Sequence, residues 1–403
     1  MQSNTHQKTN WLTLGLCFVT TILEGLDLQS MGVAATGLVA EFNLQSDEMG
    51  LIASASSVGL LIGALVGGMI SDRIGRKQVM IISVALFGLC SLLTPFAWDV
   101  NSLIGIRLIT GLGMGGALPM IIAIAAEAVK PSQRAGAVTM MYCATPIGGF
   151  IATAVVMLTD DWRQIFYVGG IAPLLLVPVL IKFLTESEAF KNVKETALQD
   201  NVASNNSLGH SLFAERRAVP TFMLWLGFLC SVGVLYLLLN WLPLLLVGKG
   251  FTSDEASTVQ LMFNVGGSTG ALILGWLISR INQRLLFAGV CIAIAGALLA
   301  LAALQHNMTG AMIAGLVVGI FANGLVFLLY GQAGSYYPTA IRGTGVGWSV
   351  ALGRMGAIVG PLLAGILLVG TNDSSDVLMS ILPIVLIAAI SVQVLLSWPK
   401  AKD

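Results

Sequence analysis

Apolar runs of about twenty residues recur twelve times along this chain, and nothing else in the sequence restricts its fold as strongly. About 20 helical residues are needed to cross roughly 30 Å of hydrocarbon. The runs fall at 11–39, 48–70, 78–98, 101–127, 135–158, 164–184, 219–247, 256–279, 285–305, 309–336, 343–369 and 377–397. Lipid offers no partner to a backbone N–H or C=O, so a spanning segment must satisfy its own polar groups, as a helix does. The expectation is an all-α membrane protein with twelve transmembrane helices in two six-helix halves, residues 1–185 and 219–403. The stretch between them, 186–218, is the one long polar segment, with Glu186, Glu188, Lys191, Lys194, Glu195 and the turn-prone pair Asp200-Asn201, and reads as a cytoplasmic linker.

Charge usage agrees. Only 10% of the residues are charged, against about 25% in ordinary soluble domains, and the formal net charge is zero, so no nucleic-acid partner is expected. Basic residues set the orientation. Sixteen of the twenty, from Lys8 through Arg73, Arg76 and Lys77 to Lys400 and Lys402, fall in the tails or in alternate loops, and only Arg163 and Lys249 fall on the other side. Both termini are therefore expected inside the cell. The five cysteines lie in apolar runs and lack metal-ligand spacing, so neither a disulfide framework nor a metal is expected, and no cofactor. The first apolar run is too long, and too interrupted by acids, for a cleaved signal peptide.

Four charges break the apolar rule. Glu24 and Asp27 lie inside the first run, and at spacing i, i+3 their carboxyls share one helix face. Arg107 and Arg354 lie inside the fourth and eleventh runs. A charge at membrane depth is costly, so it faces water, pairs with an opposite charge or handles an ion or substrate. All three histidines fall in tails or loops, which leaves carboxylates to carry any proton within the membrane. The arginines are natural partners for the acids or for an anionic substrate.

The halves repeat weakly. Gly68-x-x-x-Asp72-Arg73-x-Gly75-Arg76-Lys77 follows the second run, and Gly275 to Arg280 and Arg284 follow the eighth. Pro131 to Arg134 and Gly136 open the fifth, as Pro338 to Arg342 and Gly343 open the eleventh. Repeated halves with a site near the midplane are a general plan of secondary transporters. The Gly68–Lys77 loop resembles the signature loop of the major facilitator superfamily, and Arg107-x-x-x-Gly111-x-Gly113-x-Gly115 resembles its fourth-span motif. Within that superfamily, Glu24-Gly25-Leu26-Asp27, Asn240-Trp241-Leu242-Pro243-Leu244 and the stretch from Arg342 through Gly353-Arg354-Met-Gly356 to Gly360-Pro361 are similar to the aromatic acid/proton symporter family. Two departures stand out: the family often has Asp where this chain has Glu24, and Ser279 stands where an acid would match Asp72.

The resemblance implies the major facilitator fold and proton-coupled uptake of an aromatic carboxylate, such as a hydroxyphenylpropionate or hydroxycinnamate, by a monomer in the lipid bilayer of a bacterial inner membrane. Asp27 would take the proton with Glu24 assisting, and Arg107 would keep Asp27 ionised while the site is empty. Arg354 would meet the substrate carboxylate, with Asn240, Trp241 and Tyr330 beside the ring. Gly68, Asp72, Arg73, Gly75, Arg76, Glu127 and Arg134 would form a cytoplasmic latch, Asp72 capping the N-terminal end of the eleventh span and Arg76 reaching Glu127. Transport of a benzoate-type or muconate-type anion, or drug efflux, is the competing reading on the same fold. An enzyme would show a nucleophile–base pair or metal cluster within the spans, and the sequence offers none; a sensor would carry a sizeable soluble domain.

Overall fold

In a computed structural model, residues 9–130, 133–159, 161–186, 213, 217–278, 280–337, 342–371 and 373–398 are described. At a few helical positions, Asp72 and Arg134 among them, the description is of the backbone alone. The described residues form twelve long helices: α1 (Trp11–Phe42), α2 (Ser46–Ile74), α3 (Arg76–Leu93), α4 (Val100–Glu127), α5 (Arg134–Thr159), α6 (Arg163–Phe183), α7 (Ala218–Gly248), α8 (Ser253–Leu277), α9 (Gln283–Ala303), α10 (Met308–Ala333), α11 (Arg342–Thr371) and α12 (Ser374–Ser397). Two 3₁₀ turns, Thr94–Phe96 and Gly334–Tyr336, extend α3 and α10, and no strand occurs among the described residues.

Eleven of the twelve are long and apolar enough to cross a membrane; α8 is the exception. From Ser257 to its end at Leu277 it carries no charge but does carry Gln260 and Asn264. Large apolar side chains such as Leu175, Ile292 and Leu386 are exposed, as helices solvated by hydrocarbon require. Helix starts follow local rules. The Asp99 carboxylate accepts from the Ser102 N–H (2.7 Å) while Ser102 Oγ accepts from the Asp99 N–H (3.1 Å), and Thr252 and Glu255 make the same reciprocal cap for α8. Each pair satisfies two of the donors that a helix N-terminus leaves without partners.

Helices six apart in chain order make like pairs. Helix α2 meets α4 backbone to backbone: a Cβ on Gly59, Gly63 or Gly67, four residues apart, would collide with the main chain of Leu108, Leu112 or Gly116. Six helices later, Gly266 and Gly270 of α8 meet the main chain of α10 at Leu316 and Ile320 in the same way. Helix α1 meets α5 through Gly25 and Gly148, and α7 meets α11 through Gly356 and Gly360. Helices α3 and α6 pack together, as do α9 and α12. Small residues at such contacts let membrane helices approach closely where no hydrophobic force drives them together.

By contacts the described residues fall into two compact units, one drawn from Met1–Ser30, Val58–Ala152 and Arg163–Val202 and the other from Met31–Ser57, Thr153–Trp162 and Ala203–Asp403. Helix α1 changes unit between Ser30 and Met31. In the second unit, the C-terminal end of α1 and the N-terminal end of α2 pack on α7 and α11. A Cβ on Gly32 would strike the Leu239 carbonyl, and Ser54 Oγ donates to the Ile358 carbonyl (2.9 Å).

Candidate functional site

Within the first unit, the acid of α1 and the arginine of α4 meet. Arg107 donates through Nη1 to Asp27 Oδ1 (3.3 Å) and through Nη2 to Oδ2 (3.2 Å), a two-pronged pair. Nη2 also donates to the Asp27 main-chain carbonyl (3.2 Å), which accepts from Ser30 Oγ as well (2.7 Å). Both side chains are wholly buried, at 0% exposure. The guanidinium carbon lies 5.7 Å from the centre of the Phe166 ring on α6, where the ring face adds attraction for the cation. Close packing fixes this geometry. Gly25 is pressed against the Thr145 main chain and Gly148 against that of Ile22, so α1 and α5 leave no slack beside Asp27. Glu24, one turn before Asp27, is buried on the same helix face.

The second unit holds Arg354, half-buried near the middle of α11, which reaches Tyr236 of α7: Nη1 donates to the phenol oxygen at 3.4 Å. Asn240, one turn along α7, is buried and donates its amide back to the Tyr236 carbonyl (2.8 Å). Tyr330 is half-buried and packs edge-on to Phe228, with ring centres 5.0 Å apart. Trp241 is fully buried, and its indole N–H donates to the Pro361 carbonyl (3.1 Å), which ties α7 to α11.

The loop between α2 and α3 is built around Gly75, whose φ of 100° lies in the left-handed region that favours glycine. Arg76 pairs with Glu127 at the end of α4. Arg73 is exposed, and a Cβ added to Gly68 would meet no atom within 4 Å. The side chains of Asp72 and Arg134, and Ser279, lie outside the described residues, so the cap expected of Asp72 has no geometry to report. A residue the sequence reading passed over takes part here: Glu186 Oε1 accepts from the main-chain N–H groups of Arg76 (3.0 Å) and Lys77 (3.2 Å). It thereby caps α3, whose N-cap is a glycine with no side chain to offer. Its only signal was an acid at the start of the linker, 110 residues from its partner. Among the described residues no group of His, Cys, Asp or Glu could hold a metal ion, and all five cysteines are free and buried.

The arrangement holds a paired charge inside an apolar bundle. Known proteins resemble the chain over most of its length. The 3-(3-hydroxy-phenyl)propionate transporter of Escherichia coli (strain K12) is 43% identical over 388 residues, covering 96% of this chain and 94% of that protein. The gallate transporter of Pseudomonas putida is 33% identical, covering 89% of this chain and 85% of that protein. The inward-open structure of the xylose transporter XylE from E. coli superposes with a TM-score of 0.77 at 16% identity, covering 97% of each chain, which establishes the fold. Family and fold are those of transporters rather than enzymes. With the family description matching residues 17–361, the chain belongs to the Major Facilitator Superfamily.

Proposed function

We propose that this protein imports an aromatic carboxylate, such as a hydroxyphenylpropionate, together with protons across a bacterial inner membrane. The observation that carries the reading is the sealed Asp27–Arg107 pair. A buried carboxylate gripped at both oxygens by a guanidinium has one simple way to let go, which is to accept a proton. Protonation removes the charge attraction and frees Arg107 to move or to attract an anion. Arg354 supplies the carboxylate clamp in the other half, because a planar fork can hold two oxygens at once. The names of the relatives, a hydroxyphenylpropionate transporter and a gallate transporter, support the substrate class.

In this reading residues 1–185 and 219–403 rock about the site as a monomer, with both termini cytoplasmic and linker 186–218 on that side. The Arg76–Glu127 pair, Gly75 and the Glu186 cap hold the loop that latches the cytoplasmic ends. No covalent chemistry is involved, and no cofactor.

The test is uptake into proteoliposomes under an imposed pH gradient, acid outside, with radiolabelled phenylpropanoids, benzoates and aliphatic diacids offered separately. Accumulation of a phenylpropanoid that collapses with a protonophore is expected. Preference for an aliphatic diacid, indifference to the gradient, or net export would each overturn the reading.

A further inference from the structure

Helix α8 spends its apolar character on two amides, and one of them has no partner. Asn264 is 1% exposed, and neither its Oδ1 nor its Nδ2 has a hydrogen-bond partner among the described residues. Leaving a buried amide unpaired costs stability that an apolar residue of the same size would not lose. Gln260, one turn earlier, is fully buried, so the two amides form a stripe on one face. That face is not the one that holds α10. Contact with α10 runs along Val259, Phe263, Gly266 and Gly270, and each step of one residue turns the helix by about 100°. Burial excludes the lipid side as well. Among the other helices, α8 contacts α7, the helix that carries Tyr236 towards Arg354. Asn264 lies at the middle of α8, as Arg354 lies near the middle of α11, so the two sit at similar depth along their helices.

We infer that Asn264, with Gln260 beside it, recognises the hydroxyl group on the ring of the aromatic substrate. This rests on the aromatic-carboxylate reading given above and extends it to a specificity element. A phenol hydroxyl both donates and accepts, and a primary amide offers both complements on one side chain. A site built to hydrogen-bond a substrate hydroxyl discriminates strongly against the analogue that lacks it, because the buried polar group is then left unpaired. Enclosure of Asn264 in this conformation is what alternating access asks of a ligand-contacting group, which must be shut in at one stage and open at another. Arg354 fixes one end of the substrate and Asn264 the other, so the amide selects by ring substitution rather than by charge.

The test compares two probes that differ by one hydroxyl, 3-(3-hydroxyphenyl)propionate and 3-phenylpropionate, in proteoliposomes holding native protein, Asn264→Leu or Asn264→Ala. The native protein should favour the hydroxylated acid in kcat/KM. In Asn264→Leu that preference should fall by about tenfold or more, through loss on the hydroxylated acid, while 3-phenylpropionate uptake stays within about threefold of native. Thermal unfolding of the leucine variant should come no earlier than in the native protein, since no bond is lost. If the leucine variant fails to reach the membrane, Asn264→Ala removes donor and acceptor with less bulk and should show the same fall. A native protein indifferent to the hydroxyl, an unchanged preference in the variants, or an equal loss on both probes overturns the inference while leaving aromatic-acid transport standing. Uptake of neither probe by the native protein overturns the transport reading and this one with it.

Discussion

The Asp27–Arg107 pair makes a quantitative prediction through a double-mutant cycle. The perturbations are Asp27→Asn, Arg107→Met and both together. At 3.2 Å and an effective dielectric of about 20, two unit charges attract by about 5 kcal/mol. Removing one member strands the other as an uncompensated buried charge, which costs about 3–5 kcal/mol. Arg107→Met should sit at the upper end, because Asp27 then loses all three donated contacts from that side chain, two to its carboxylate and one to its main-chain carbonyl. Asp27→Asn should sit at the lower end, because the amide oxygen and the main-chain carbonyl still accept from Arg107. The double variant removes both charges, so its loss should fall short of the summed single losses by about 3 kcal/mol. Unfolding of the purified protein in mixed micelles, followed by circular dichroism against rising denaturing detergent, gives the four free energies. Sites that do not interact add within about 0.5 kcal/mol. Additivity at that level would falsify the claim that a charge pair holds α1 to α4.

Other predictions follow from single side chains. Asp27→Asn should abolish accumulation against a gradient in proteoliposomes while exchange of labelled for unlabelled substrate persists; undiminished accumulation removes Asp27 from proton coupling. Arg354→Lys should weaken uptake at least tenfold despite keeping its charge, since lysine cannot offer a two-pronged grip, and neutral amides of the same acids should compete poorly with native uptake; normal transport by the lysine variant refutes the clamp. Gly63→Ala should cost about 1–3 kcal/mol in the unfolding assay because its methyl would strike Leu112, whereas Gly68→Ala, with open space at that position, should be neutral or better. Glu186→Ala should cost about 1 kcal/mol by uncapping α3, and no change in unfolding would show the cap to be idle.

How much of this was legible beforehand depended on whether a signal is local. Twelve helices follow from hydrocarbon thickness and residue count, both written along the chain. Pairing of Asp27 with Arg107 was foreseeable because charges inside apolar runs are few and must find one another. By contrast, Glu186 caps a helix start 110 residues away, and nothing in its neighbourhood marks it as a cap rather than one more acid in a polar linker. The bond from the Trp241 indole to a carbonyl on α11 is set by how α7 and α11 cross, which no local stretch of sequence records. Asn264 escaped notice because a lone amide in a long helix carries no pattern of its own; its environment alone makes it unusual.

One detail of the pair has a mechanical consequence. Arg107 holds two parts of the same residue, the carboxylate and the main-chain carbonyl, and a proton can undo only the first. Loss of charge therefore slackens the joint without casting it off, and the guanidinium stays moored to α1 within a few ångströms. The same carbonyl also takes Ser30 Oγ, so it need not depend on the N–H one turn ahead. That turn spans the step from Ser30 to Met31, where α1 passes from one compact unit to the other. A carbonyl with two donors in reserve lets a helix flex at that step without leaving a polar group stranded in hydrocarbon. The main-chain carbonyl of Asp27 thus keeps α1 tied to Arg107 of α4 whatever the charge on its carboxylate.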